Sequence, residues 1–316
     1  MRFLVTGVAG FIGSNLAGKL ISEGHSVVGV DSFHDYYSSS LKLDNLSKLE
    51  NQVGFSFYQI DICDLSKSTF DSQFDSIFHL AGQPGVRESW GSGFDSYAHN
   101  NVLGTQKVLD YAVTNNVKKV VYSSSSSIYG DAETYPTKES AIAKPRSPYG
   151  VSKLAGEHLA EAYSSNFGIN IVALRYFTVY GPGQRPDMAM NRLINCSITG
   201  EKFPKFGNGE QVRDFTFVDD VVAANILACE ASISEPFTAI NIGGGNSVSL
   251  NSLISELESI SGKAINIDQQ PTSVGDVFRT GADTAKASGL LRWVPKVQIR
   301  SGLEQQFDWQ MSRSLG

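Results

Sequence analysis

The chain has 316 residues and a formal net charge of −6, with 26 Lys and Arg against 32 Asp and Glu. Apolar residues make up 41% and charged residues 18%, which excludes a disordered chain and leaves room for one large domain or two intimate ones. No basic stripe is present, which excludes a nucleic-acid partner; an anionic ligand would have to be held by a few placed arginines.

Residues 2–6, RFLVT, predict a strand running into the glycine turn GVAGFIG. Ile12, Leu16, Leu20 and Ile21 share a helical face over 12–23, and HSVVGVD is a second strand ending at Asp31. Together these make one βαβ unit. GFSFYQID (54–61) and FDSIFHLA (74–81) predict further strands, and 97–116 a long helix with Val102, Leu109 and Val113 on its apolar side. KKVVYSS (118–124) is the next strand, and INIVALRYF (169–177) another. Between them, 147–168 is a helix entered through Pro148 and left through Gly168. Short buried strands alternating with helices predict an α/β fold of Rossmann type, a doubly wound parallel sheet with helices on both faces.

From about residue 178 the texture becomes Gly- and Pro-rich and loop-like, in YGPGQRP and KFPKFGNGEQ. FTFVDDVVAANILAC then predicts a short strand and a helix, AINIGGG (239–245) a strand, and Leu250, Leu253, Ile254 and Leu257 one helical face over 249–261. The expected division is a sheet domain over 1–177, with segments of 215–245 returning to it, and a smaller ligand-binding lobe over 178–316.

Cys63, Cys196 and Cys229 are too widely spaced for a metal pattern and are expected as reduced, mostly buried thiols. No run approaches the ~18 unbroken apolar residues of a membrane span. The opening MRFLVTG lacks the pattern of a signal peptide, so a cytoplasmic chain is expected.

Gly7, Gly10 and Gly13 follow a strand and open a helix, where a tight turn lets a pyrophosphate approach the helix N-terminus. Asp31 ends the second strand near the spacing of about 20 residues at which an acid meets the adenosine ribose. A carboxylate there accepts from a 2′-hydroxyl and repels a 2′-phosphate, favouring NAD over NADP. Asp61 and Ile62, ending the third strand, can frame the adenine.

VVYSSSSSIYG (120–130) has the composition of a flexible linker. Its position contradicts that. It leaves a predicted strand and precedes a helix bearing Tyr149 and Lys153 at i and i+4, and the ends of parallel strands meet at the ligand crevice. Oxidising a sugar alcohol needs a base. Tyrosine, with a pKa of about 10, must fall by about three pH units, roughly 4 kcal/mol, to serve. A nearby ammonium and a nicotinamide ring can supply that. A serine hydroxyl can orient the reacting oxygen.

With TGVAGFIGS, HLAGQ, NNVLGT, YSSSSSIYG, SPYGVSK, LRYFTVYGP, VRDFTFVDDV, NIGGG and GDVFRT in order, the chain resembles the extended short-chain dehydrogenase/reductases, in the nucleotide-sugar epimerase/dehydratase branch. The resemblance covers essentially the whole length. It implies tightly held NAD regenerated in each turnover, a nucleotide-diphosphate sugar as substrate, and a homodimer through the 97–116 and 147–168 helices. It also implies a catalytic set of Tyr149, Lys153 and Ser125. Cofactor contacts are implied for Gly7, Gly10, Phe11, Ile12, Gly13, Asp31, Ser32, Lys42, Asp61, Ile62, Leu80, Ala81, Gly82, Asn100, Ser123 and Tyr176, beside Tyr149 and Lys153. Substrate contacts are implied for Gln83, Arg87, Ser125, Ser126, Thr178, Arg185, Arg213, Asp276 and Arg279.

Dehydratases of this branch place an Asp-Glu pair after the catalytic hydroxyl residue, and decarboxylating members a glutamate. Here Ser126 and Ser127 hold those positions, so loss of water lacks its proton shuttle and epimerisation at C4 fits better. RYFTVYGPGQRPDMA (175–189) and the DYYSSSLK insert (35–42) are similar to UDP-glucuronate 4-epimerases, whose UDP-sugar carries a carboxylate that Thr178 and Arg185 can hold. Gln184 and Glu88-Ser89-Trp90 depart from that pattern. The alternatives are a UDP-glucose or UDP-GlcNAc-type 4-epimerase, a UDP-glucuronate decarboxylase and, more distantly, an inactive NAD-sensing scaffold.

Overall fold

The computed structural model describes residues 1–70, 73–271 and 277–314. The first half runs β1 (Arg2–Thr6), α1 (Phe11–Ser22), β2 (Ser26–Asp31), α2 (Ser39–Glu50), β3 (Phe55–Gln59) and β4 (Ser76–His79). The helix expected over 97–116 comes in three pieces: α3 (Phe94–Tyr97), a π-helical turn over Ala98–Leu103, and α4 (Gly104–Thr114). Then come β5 (Lys119–Ser125), α5 (Pro148–Phe167), β6 (Asn170–Tyr176) and β7 (Thr178–Tyr180). The stretch that reads as loop contains α6 (Ala189–Thr199) and β8 (Phe203–Phe206). The remainder is β9 (Val212–Phe217), α7 (Val218–Glu230), β10 (Phe237–Ile242), β11 (Asn246–Ser249), α8 (Leu250–Ser261), β12 (Ile267–Gln270), α9 (Ala285–Leu291) and α10 (Ile299–Ser314).

Seven strands form one parallel sheet in the order β10-β6-β5-β4-β1-β2-β3. The order reverses at β1, which lies between β2 and β4, and that reversal opens a crevice at the strands' carboxyl ends. Strand residues alternate in facing, so the sheet has two cores. Phe3, Val5, Phe78 and Val121 face α1 and α7 through Leu16, Leu20, Val221 and Val222. Leu4, Ile77, Val120 and Ile171 face α4 and α5 through Val108, Leu109 and Ala160. Each fully buried Leu, Ile, Val or Phe contributes about 1.5–3 kcal/mol, so the sheet is a rigid platform for loops at its end. Two small sheets, β11-β9-β7 and β12-β8, stand beside it. Among the described residues, no helix is long and apolar enough to cross a membrane. Cys63, Cys196 and Cys229 are free thiols; the last two are buried and Cys63 is half-buried.

Candidate active site

A cavity of about 760 Å³ opens at the carboxyl ends of β1, β2, β4 and β5. The glycine turn forms one wall. Gly7 takes φ +71°, and a Cβ on Gly13 would run into the Gly7 carbonyl, so β1 and α1 meet only without side chains there. This cradle is the shape a pyrophosphate requires, and Asp31 stands behind it. Its carboxylate accepts from the Ala9 N–H at 3.2 Å and the Phe33 N–H at 2.9 Å, with Lys42 Nζ 3.6 Å away. Lys42 itself donates to the His34 carbonyl at 2.9 Å. The acidic group fits a ribose diol, so the residues present fit NAD.

The serine run is divided by the fold. Ser123 to Ser125 complete β5, and Ser126 to Ile128 form a single 3₁₀ turn in which the Ser125 hydroxyl accepts from the Ser127 N–H at 3.1 Å. Ser124 faces away from its neighbours: it donates to Glu157, which also holds Arg175 by a bidentate pair at 2.9 and 2.7 Å. Helix α5 starts where sequence chemistry says it should, since Ser147 caps Gly150 N–H at 3.1 Å and Pro148 follows. Its end is also legible, at Gly168 with φ +70°. The first turns of α5 therefore carry Tyr149 and Lys153 into the cavity beside Ser125.

The Tyr149 phenol and the Ser125 hydroxyl both line this cavity, close enough for Ser125 to influence the phenol's ionisation. Burial holds the Tyr149 phenol above its usual pKa, against the lowering effect of the Ser125 hydroxyl and the Arg185 charge. The expected lowering is thus not a property of the protein chain alone, because desolvation outweighs both groups. Burial pulls Lys153 down to about 8, with Glu157 opposing, and its Nζ donates to the Ser123 carbonyl at 2.9 Å.

Of the residues expected at the cofactor, all but Asp61 line this cavity. Asp61 turns aside: it caps Cys63 N–H at 2.8 Å and meets His99 Nε2 at 3.0 Å, while its neighbours Ile60 and Ile62 face the cavity. On the substrate side, Gln83, Arg87, Ser125, Ser126, Thr178 and Arg185 line it. Arg213 does not. It lines an adjoining cavity of about 160 Å³ that shares Val86, Ser126, Ser127 and Thr178 with the first. Arg279 lines neither and lies over the Tyr135 ring, 5.1 Å from its centroid. Asp276 lies outside the described residues. Arg185 is not an open fork: its Nε and Nη2 each meet Asp187 at 2.9 Å.

The family model for the NAD dependent epimerase/dehydratase family matches residues 3–243. The chain belongs to that family. A Bacillus subtilis family member described as an uncharacterized UDP-glucose epimerase is 38% identical over 100% of both chains. The UDP-glucuronate 4-epimerase of Thermodesulfobacterium geofontis is 37% identical over 97% of this chain and 95% of its own. A crystal structure of the Bacillus cereus UDP-glucuronic acid 4-epimerase, in complex with UDP-glucuronic acid and NAD, superposes with a TM-score of 0.96. It is 41% identical and covers 99% of this chain and 100% of that one.

Several residues of the site in this epimerase-family chain are given no role by the sequence. Asn101, buried in the π-helical turn, clamps Gln83 from both sides, accepting from its N–H at 2.6 Å and donating to its carbonyl at 2.9 Å. That wider turn also puts Asn100 on the cavity wall. Tyr97 packs edge-on to Tyr149, 6.1 Å between centroids, and donates to the Pro84 carbonyl at 2.8 Å. Arg192 and Asp187 line the cavity from in and before α6, the helix hidden behind a Pro-rich stretch.

Proposed function

We propose that this chain interconverts UDP-glucuronate and UDP-galacturonate at C4 through a transient 4-keto sugar, on tightly held NAD. One observation carries the reading. Ser125 and Tyr149 share one cavity with Thr178 and Arg185, and the two residues after Ser125 are serines. The full-length likeness to enzymes named for UDP-glucuronate supports it.

Bound NAD supplies a hydride acceptor for C4, a donor to the opposite face after the keto-sugar rotates, and a positive charge that lowers Tyr149. Tyr149 takes the C4 hydroxyl proton and returns it, relayed or oriented by Ser125. Lys153, fixed by the Ser123 carbonyl, holds the nicotinamide ribose. The glycine cradle holds the pyrophosphate and Asp31 the adenosine ribose. A 4-keto uronate is a β-keto acid and loses CO₂ when its carboxyl bond stands perpendicular to the ketone. Hydrogen bonds from Thr178 and Arg185 keep the carboxylate out of that geometry, and Arg87 and Arg213 serve the diphosphate end.

In this reading residues 1–177, with β10, form the cofactor half and most of 178–316 the sugar-nucleotide half. Exposed Leu103, at the end of the π-helical turn before α4, and exposed Val151 and Phe167 on α5 support pairing of two copies there, which light scattering tests. For the reaction, the purified protein is incubated with UDP-glucuronate and with UDP-glucose, without added NAD, and the products are separated. UDP-galacturonate alone is expected. Release of CO₂, or turnover of UDP-glucose in preference, overturns the assignment. With Arg185→Ala, a decarboxylated pentose product is expected.

A further inference from the structure

Asp187 has a place in this cavity that the proposed chemistry does not use. Both its oxygens are taken by one guanidinium, Nε and Nη2 of Arg185 at 2.9 Å each, and the Tyr36 hydroxyl donates to Oδ2 at 3.4 Å. Tyr36 also lies against the Arg185 guanidinium, 5.9 Å from its ring centroid, and all three residues line the cavity. The arginine side chain is 17% exposed, so its charge is largely removed from water. The Asp187 carboxylate balances that charge from within the chain.

A guanidinium carries five N–H donors, so one arginine can hold two carboxylates. Yet the second is drawn in less strongly, because the first has already neutralised the charge. We propose that Asp187 is a specificity-determining residue, a built-in carboxylate that competes with a sugar carboxylate for Arg185. The inference rests on the reading that the substrate is a uronate. Its consequence is a graded site. With Asp187 present, an anionic sugar is gripped loosely enough to leave its place, turn over and go. Without Arg185, the stranded Asp187 repels an anionic sugar and tolerates a neutral one.

The experiment measures calorimetric binding of UDP-glucuronate and UDP-glucose to the NAD-loaded protein. It uses the wild type, Asp187→Asn, Arg185→Ala and the double variant, with melting temperatures to establish that each is folded. Asp187→Asn is expected to bind UDP-glucuronate about tenfold more tightly with little change for UDP-glucose, since truncating one member of a desolvated charge pair exposes the other. Arg185→Ala is expected to bind UDP-glucuronate several-fold more weakly, and the double variant to regain part of that affinity. Unchanged or weakened UDP-glucuronate binding in Asp187→Asn, an equal shift for both sugars, or a double variant no better than Arg185→Ala overturns the role of Asp187. A wild type that binds the two sugars alike overturns the uronate reading itself, and the proposal with it.

Discussion

Lys153 donates to the main-chain carbonyl of Ser123 across 2.9 Å, tying the helix that bears Tyr149 to the strand that ends in Ser125. The tie crosses from one secondary element to another at the point where their side chains converge. Neither of the two proposed catalytic groups therefore depends on a free loop for its position.

The first expectation concerns the proton. Tyr149→Phe keeps the ring that packs on Tyr97 and removes the hydroxyl, so kcat is expected to fall by about 10²- to 10⁴-fold. NAD content after purification is expected to match the wild type. Substantial turnover in this variant would remove Tyr149 from the chemistry.

Gly13→Ala tests the cradle. The new methyl would collide with the Gly7 carbonyl, a backbone atom that cannot swing aside. Loss of co-purifying NAD and a lower melting temperature are expected together. A variant that retains NAD at wild-type level would mean that the turn is not the pyrophosphate site.

Glu157 is the hub of a buried group formed with Arg175 and Ser124. Glu157→Ala leaves a guanidinium that is 11% exposed without its carboxylate, and removing one member of a buried pair typically costs about 3–5 kcal/mol. Urea unfolding measures the loss directly. A cost below about 1 kcal/mol would place the pair in the exposed class instead.

His79 makes stability pH-dependent. It is fully buried between the Thr6 and Thr105 hydroxyls, at 2.9 and 3.1 Å, and burial, helped by the Lys153 charge, pulls it down to about 3. The unfolded chain takes up this proton near pH 6.5 and the folded chain refuses it until about pH 3, so the contribution is intact above 6.5 and is lost as pH falls through that window. The expected slope from this residue is about 1 kcal/mol per pH unit. Comparing wild type with His79→Gln by urea unfolding between pH 7 and pH 5 isolates it. Parallel curves for the two proteins would contradict the assignment.

The sheet and the start of the site were legible because their determinants are local. A strand alternates, a helix repeats, and Ser147, Pro148 and Gly168 mark the ends of α5 by their own conformational preferences. Ser125, Tyr149 and Lys153 could be placed together because strand ends share one side of a parallel sheet. What escaped was set by partners distant in the chain. Asp61 looked like a cofactor ligand, but its carboxylate is drawn to His99 and the Cys63 N–H. Arg185 read as a partner for a substrate carboxylate, and nothing in the sequence showed that Asp187 would pair with it. Helix α6 follows directly on RPDM, a stretch whose proline reads as an interruption. Asn101 lies inside the NNVLGT motif, but nothing in that motif says its side chain would clamp Gln83 from a π-helical turn.

The parallel pairing of β10 with β6, from Phe237↔Ile171 to Ile242↔Tyr176, carries a consequence for synthesis on the ribosome. Until Ile242 has left the exit tunnel, β6 is an open edge with a row of unsatisfied amides and carbonyls beside apolar side chains. A chain stopped at residue 177 is thus expected to present a sticky rim instead of an autonomous cofactor-binding module. Expressed alone, it should aggregate, while a fragment reaching just past β10 should gain in solubility.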